Sequence, residues 1–251
     1  MRILAIGDIH GCLTALDRLL AEVRPERDDL IITLGDYVDR GPDSKGVIDR
    51  LLELRQACNL IALRGNHDFM MVEAWKRYQE RQYLRDQPAG WFPGEEEMLS
   101  TEERDWLMMG GRQTLASYAP ADRSGKLTDV PAVHWDFLEN ICLDCCETDR
   151  HFYVHANVYP DMPLTEQPTY MLHWEKLFDA PPHCSGKTMI CGHTAQRSGK
   201  PVNLGCAICL DTWVYGAGWL TCLDVNSGRI WQANQNGDAR TDHLDNIPPE
   251  K

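Results

Sequence analysis

The sequence predicts an α/β protein built on a mainly parallel sheet, and three observations predict it. Short apolar runs alternate with segments whose apolar residues recur at helical spacing. The first three runs are joined by connections long enough for two right-handed crossovers. Each run also gives way to a polar cluster carrying Gly, Asp, His or Asn.

The first strand is read from Arg2 to Gly7, and the helix after it places Leu13, Leu16, Leu19, Leu20 and Val23 on one face. A second apolar run, Leu30 to Leu34, leads to a helix opened by Pro42, Asp43 and Ser44, with Val47, Ile48, Leu51 and Leu52 turned inward. The third strand is Leu60 to Leu63. Residues 69–130, rich in Trp, Met, Glu and Arg, form a largely helical insert with turn signals at Pro88-Ala89-Gly90 and Pro93-Gly94. An insert that enters and leaves near a site is a natural place for substrate selection, although its aromatics would also serve as a small core of their own. Two further strands run through Phe152 to Val154 and Thr188 to Cys191, and strand-like segments continue from Ala207 to Trp231. The expected organisation is a single domain over 1–236, followed by a polar tail, 237–251, whose Asp, Asn, Gly and Pro predict fraying.

The clusters after the strands carry the chemistry. They read Gly7-Asp8-Ile9-His10-Gly11, Gly35-Asp36-Tyr37-Val38-Asp39-Arg40-Gly41 and Arg64-Gly65-Asn66-His67-Asp68, followed by His155 and by Gly192-His193. In an open α/β sheet the carboxyl ends of parallel strands share one edge, so five separated clusters can converge on one crevice. A lone Asp or His after a strand is commonly a turn former or a satisfied polar group. Five in succession, with Gly7, Gly35, Gly65 and Gly192 permitting tight turns, point instead to a composite metal site.

Bulk properties narrow the function. The chain has 251 residues, 43% of them hydrophobic, enough for one large core. Its formal charge of −13 disfavours nucleic acid and anionic membranes as partners. An acidic protein that handles phosphate needs concentrated local positive charge, which bound divalent metals supply. The first apolar run ends at an acid without the hydrophobic region of a signal peptide, and no stretch is long enough to cross a bilayer. The cytoplasm is therefore the expected compartment, with the ten cysteines reduced. The pairs Cys142/Cys145 and Cys206/Cys209 have zinc-like local spacing, yet they lie in strand-like runs where Cys is an ordinary core residue.

The motifs GDIHG, GDYVDRG, RGNHD, VHA and CGH, in this order from Gly7 to His193, resemble those of the calcineurin-like metallophosphoesterases, specifically the phosphoprotein phosphatase branch with its bacterial and phage members. Ala195 stands where nuclease-like relatives place a further metal-binding His, which favours that branch. The resemblance implies a four-layer α-β-β-α sandwich with a dinuclear metal site at the carboxyl ends of the strands. It assigns Asp8, His10 and Asp36 to one metal and Asp36, Asn66, His155 and His193 to the other, with Asp36 as the bridge. Mn²⁺ is the first expectation, and Fe or Zn²⁺ also fits this donor mixture. A hydroxide shared by the metals would attack phosphorus directly, His67 would protonate the leaving oxygen, and Asp39 would orient His67. Arg40 and Asn66 would contact the phosphoryl group, and Lys176 stands where the branch carries a phosphate-binding Arg. Arg64 suits a structural ion pair at least as well as phosphate.

The implied activity is hydrolysis of phosphoserine or phosphothreonine in proteins, with phosphotyrosine in reach. The same centre would serve a dinucleoside polyphosphate or another small phosphorylated metabolite. A non-catalytic metal-binding scaffold on the same fold is the rival from another class, and the intact ligand set with His67 argues against it.

Overall fold

In the computed structural model, which describes residues 1–85, 99–247 and 249, the chain opens with β1 (Ile3–Ile6), α1 (Leu13–Val23), β2 (Leu30–Thr33), α2 (Ser44–Ala57) and β3 (Asn59–Ala62). The long α3 (Asn66–Arg85) follows, then α4 (Thr101–Trp106), α5 (Arg112–Ser117), α6 (Ala132–Asp136), β4 (Cys145–Glu147) and β5 (His151–Val154). The remainder is α7 (Thr169–His173), β6 (Thr188–Cys191), β7 (Val202–Asn203), β8 (Ala207–Cys209), β9 (Leu220–Asp224), β10 (Arg229–Ala233) and β11 (Ala239–His243). The turn signals at Pro88-Ala89-Gly90 and Pro93-Gly94 lie outside the described residues.

The strands form two sheets. One has the order β11-β10-β9-β1-β2-β3, with β1, β2 and β3 parallel and the other three antiparallel to their neighbours. The other runs β4-β5-β6-β8-β7, parallel through β5, β6 and β8. Side chains alternate along each strand, and the core divides accordingly. Ala5, Ile32 and Leu223 of the first sheet join Tyr153, Ile190 and Ile208 of the second in one apolar layer, so the sheets stack face to face. The opposite residues of the first sheet, Leu4, Ile6, Ile31 and Cys222, meet Leu16, Leu19, Val47 and Leu51 of the helices. Phe152, Val154, Met189, Cys191, Ala207 and Cys209 face outward from the second sheet, against Leu172 of α7 and the loop residues Val158 and Leu177. The expected sandwich is present, with its outermost layer built from one short helix and loops.

Helix α1 buries Ala15, Leu16, Leu19 and Val23 on one face. Asp43 caps α2 by accepting from the Gly46 N–H at 2.8 Å, and the helix buries Val47, Ile48, Leu51 and Leu54, with Leu52 partly buried against the same core. The Arg64-to-Asp68 cluster runs into a helix, with Asn66, His67 and Asp68 in the first turn of α3. The strand-like segments from Ala207 to Trp231 divide between the sheets, β8 in the second and β9 and β10 in the first. One expectation is corrected. The polar end does not fray from residue 237: Ala239–His243 pairs antiparallel with Arg229–Ala233 as an edge strand. A solvent-facing edge strand is built of polar residues without apolar alternation, so its composition reads as tail. No described helix is long and apolar enough to cross a membrane.

Candidate metal centre

The parallel strands deliver their carboxyl ends to one place. The His193 N–H donates to Asp8 Oδ2 at 3.0 Å, His155 Nδ1 reaches the Leu34 carbonyl at 2.8 Å, and the His67 N–H donates to Asp36 Oδ1 at 2.9 Å. Asp8, His10, Asp36, Asn66 and His155 are buried, and His193 is half-buried. All six proposed ligands, separated by up to 185 positions in sequence, are thus brought together.

Each histidine is oriented by a backbone carbonyl. A carbonyl only accepts, so the ring nitrogen beside it carries the proton and the other nitrogen keeps its lone pair. His10 donates from Nδ1 to Val38 O at 2.9 Å, His155 from Nδ1 to Leu34 O, and His193 from Nε2 to Trp174 O at 3.0 Å. The free nitrogens face the cluster: His155 Nε2 and His193 Nδ1 lie 3.1 and 3.0 Å from Asn66 Oδ1. Asp36 stands between two groups, its Oδ2 3.3 Å from His10 Nε2 and its Oδ1 3.5 Å from His155 Nε2. Ligand atoms of His10, Asp36 and His67 lie within 4.8 Å of one another, as do those of Asp8, Asp36 and His155. Asp36 belongs to both groups, whereas Asp8 groups with His155 rather than with His10.

The backbone is held in costly conformations here. His10 (φ 46), Asp36 (φ 52), Asp39 (φ 71), Arg40 (φ 67) and His193 (φ 63) all occupy the left-handed region that side chains disfavour. A Cβ on Gly192 would fall 2.0 Å from Asp8 Oδ1, so only glycine fits beside that carboxylate.

Electrostatics suit cations. Burial lowers His10 and His193 and brings His155 down to about 3, which leaves neutral imidazoles. Burial pushes the Asp36 carboxyl up, and the positive charge that His155, His67, His10 and His193 carry when protonated pulls it below the carboxylate range. Asp8 is raised by burial and then by the charges of Asp211 and Asp36, and Asp211 itself is pushed up to about 6, first by burial. Three carboxylates buried this closely need positive charge, and with neutral imidazoles and an amide oxygen they make a donor set for divalent cations.

Beside this cluster, His67 Nδ1 lies 2.8 Å from Asp39 Oδ2, and His67 Nε2 is buried without a partner. Burial pulls the His67 imidazole down, but Asp36 and Asp39 raise it above its ordinary value. Arg40 stacks over Tyr215 at 4.5 Å and donates to His10 Nε2 at 2.9 Å. Lys176 is exposed, and its charge is among those that lower His193. Arg64 is spent on structure: it donates to the carbonyls of Leu138, Glu139 and Cys142.

Four residues take roles that the sequence reading did not assign. Asp211 follows the short β8 as Asp8 follows β1, a signal present in the run from Cys206 to Leu210. Asp68 binds the N–H groups of Asp36, Gly65 and Tyr37 and so fixes the bridging turn. Trp106 and Thr114 come from the insert and bond Asp39. No periodicity or motif spacing assigns these last two to Asp39.

A family model described as calcineurin-like phosphoesterase matches residues 1–197. Serine/threonine-protein phosphatase 1 of Salmonella typhimurium is 39% identical over 88 residues, 35% of this chain and 38% of that protein. A symmetrical bis(5′-nucleosyl)-tetraphosphatase of Acidovorax sp. is 43% identical over 76 residues, 30% of this chain and 26% of that protein. The matches therefore span well under two thirds of these curated relatives. The cold-active protein-tyrosine phosphatase of a Shewanella species superposes with a TM-score of 0.56 at 16% identity, over 96% of this chain and 80% of that one, a likeness of fold.

Proposed function

Because this chain belongs to the calcineurin-like phosphoesterase family, we propose that it is a metal-dependent phosphomonoesterase acting on phosphoserine and phosphothreonine in proteins. The observation that carries the reading is Asp36, whose two oxygens serve two ligand groups at once. Asp8, His10, Asp36, Asn66, His155 and His193 would hold two divalent cations, Mn²⁺ first among them. When bound, such a pair supplies charge for the phosphoryl oxygens and lowers the pKa of water.

The chain's own residues do the rest. Arg40, held on the face of Tyr215, offers a planar fork for phosphoryl oxygens, and Lys176 adds charge at the rim. Asn66 offers its amide at the same place. Water attacks phosphorus in line with the leaving oxygen, and His67 delivers the proton that oxygen needs as the P–O bond breaks. The donating atom is Nε2, since Nδ1 is held by Asp39. The likeness to serine/threonine-protein phosphatase 1 supports the protein substrate. Ten free thiols accord with a reducing, cytoplasmic compartment. A second reading, hydrolysis of a dinucleoside polyphosphate, is favoured by the likeness to the symmetrical tetraphosphatases.

The test compares Mn²⁺-loaded protein on a phosphothreonine peptide, diadenosine tetraphosphate and p-nitrophenyl phosphate. Turnover of the peptide is expected. Activity on the dinucleotide alone selects the second reading, and inactivity on all three selects a non-catalytic scaffold. His67→Asn should slow the peptide by about 100-fold or more and the aryl ester far less, with metal content unchanged. Equal losses would remove His67 as the acid.

A further inference from the structure

We propose that Trp106 and Thr114, from the insert, are positioning residues for proton donation: together they clamp Asp39 so that it holds His67 in the donating orientation. The proposal rests on His67 being the acid. Trp106 donates from Nε1 to Asp39 Oδ1 at 3.0 Å, and Thr114 donates from its hydroxyl to the same oxygen at 2.7 Å. With Oδ1 doubly held, Oδ2 is left for His67 Nδ1 at 2.8 Å. The Asp39 N–H also bonds Thr114 Oγ1 at 2.8 Å, so side chain and backbone are fixed by one hydroxyl. Ser44 Oγ completes the shell, 3.2 Å from the Asp39 nitrogen and 3.1 Å from Thr114 Oγ1.

The insert is shaped for this contact. Trp106 and Thr114 are eight positions apart, and the five-residue kink Leu107–Gly111 between them lets both converge on one carboxylate. Gly110 sits at φ 128, where a Cβ would lie 2.6 Å from Arg40 N and 2.8 Å from Asp39 Cβ. A Cβ on Gly111 would strike the Trp106 ring at 2.5 Å. The glycine pair thus seats the insert directly on the Asp39–Arg40 backbone. Trp106 is 1% exposed and Thr114 and Asp39 are fully buried, so no water competes for these bonds. The insert extends outward through α3 and α4, which Arg81 and Glu103 tie together. On this view one duty of the insert is to complete the acid.

A carboxylate that pivots loses the imidazole it orients, because a hydrogen bond weakens steeply as its angle closes. Thr114→Val keeps the shape but removes a hydroxyl that donates to Asp39 Oδ1 and accepts from the Asp39 N–H, and Trp106→Phe removes the indole donor together with some buried volume. Both should lower kcat on the phosphothreonine peptide by about 10- to 100-fold, with KM within about twofold and p-nitrophenyl phosphate slowed less than about threefold. Thr114→Ser, which keeps the hydroxyl, should recover most of the loss. In the metal-free proteins, the His67 Nδ1 proton resonance should weaken or move upfield in the two defective variants and return in Thr114→Ser. Equal losses on both substrates, a matching fall in Tm and no recovery by Ser would reduce the clamp to scaffolding and overturn the proposal. So would an unchanged resonance. His67→Asn is the comparator: if it spares no substrate class, the acid reading falls, and the resonance alone decides whether the clamp holds the pair.

Discussion

The two oxygens of Asp36 point to different histidines, and its turn is fixed by three N–H bonds to Asp68. Away from the site, Asp29 shows the same logic on a smaller scale. It takes the Arg2 guanidinium through Nε at 3.1 Å and Nη2 at 2.5 Å, and the backbone N–H of Glu26 at 2.8 Å. The Arg2 hydrogen bond holds its carboxyl down at about 2, below its ordinary 3.8. A folded-state pKa below the unfolded one gives stability that is present above about 4 and lost as pH falls toward 2. Arg2 is 29% exposed, so we expect about 1–2 kcal/mol, less than the full shift implies. Asp29→Asn should therefore unfold at lower denaturant from pH 7 to 5, with the gap to the parent narrowing below pH ~4. A gap that stays constant to pH 3 contradicts this assignment.

At the scale of elements, the kink at Leu107–Gly111 is the point where the insert meets the strand-end turns. Gly110→Ala asks a side chain to adopt φ 128 while colliding with Arg40 and Asp39. The expected loss is about 1–3 kcal/mol of stability, read by thermal unfolding. An unchanged Tm would mean that the kink relaxes freely. The motifs after β1 and β2 were legible because a strand, its glycine turn and its ligands lie within a few residues, so local pattern and tertiary role coincide. The insert was legible only as helical. Trp106 and Thr114 reach Asp39 across 67 and 75 positions, and no periodicity encodes a contact of that kind. Strand β11 was hidden for the opposite reason: its register is set by β10, and its own residues carry no apolar face.

For the whole molecule, the site is a seam. Asp8, His10 and Asp36 come from turns after strands of the first sheet and Asn66 from the start of α3 beyond β3, while His155, His193 and Asp211 follow strands of the second. Cations bound across that seam would tie the sheets together and offset the mutual repulsion of the buried carboxylates. Mn²⁺ at about a hundredfold over its Kd should raise Tm by about 5–10 °C, and chelation should reverse the rise. Asp36→Asn should abolish both the rise and one or both bound ions, counted by elemental analysis. A full complement of metal in that variant would remove Asp36 as the shared ligand.

The sequence alone determined the alternation of strands and helices, the order of the strand-end motifs and the family, since each is written in neighbouring residues whose spacing obeys backbone geometry. It left Arg64 between a structural ion pair and phosphate, and the structure gives it three backbone carbonyls and, at 3.7 Å, the Asp144 carboxylate as partners. Tertiary structure decided the rest: which histidine nitrogen faces the cluster, that Asp211 joins Asp8, and that the insert grips Asp39. The reason is physical. A ring nitrogen's role depends on the carbonyl packed behind it, and a carboxylate's on the donors that surround it. Both are supplied by segments remote in the chain, which become neighbours only when the two sheets close on each other.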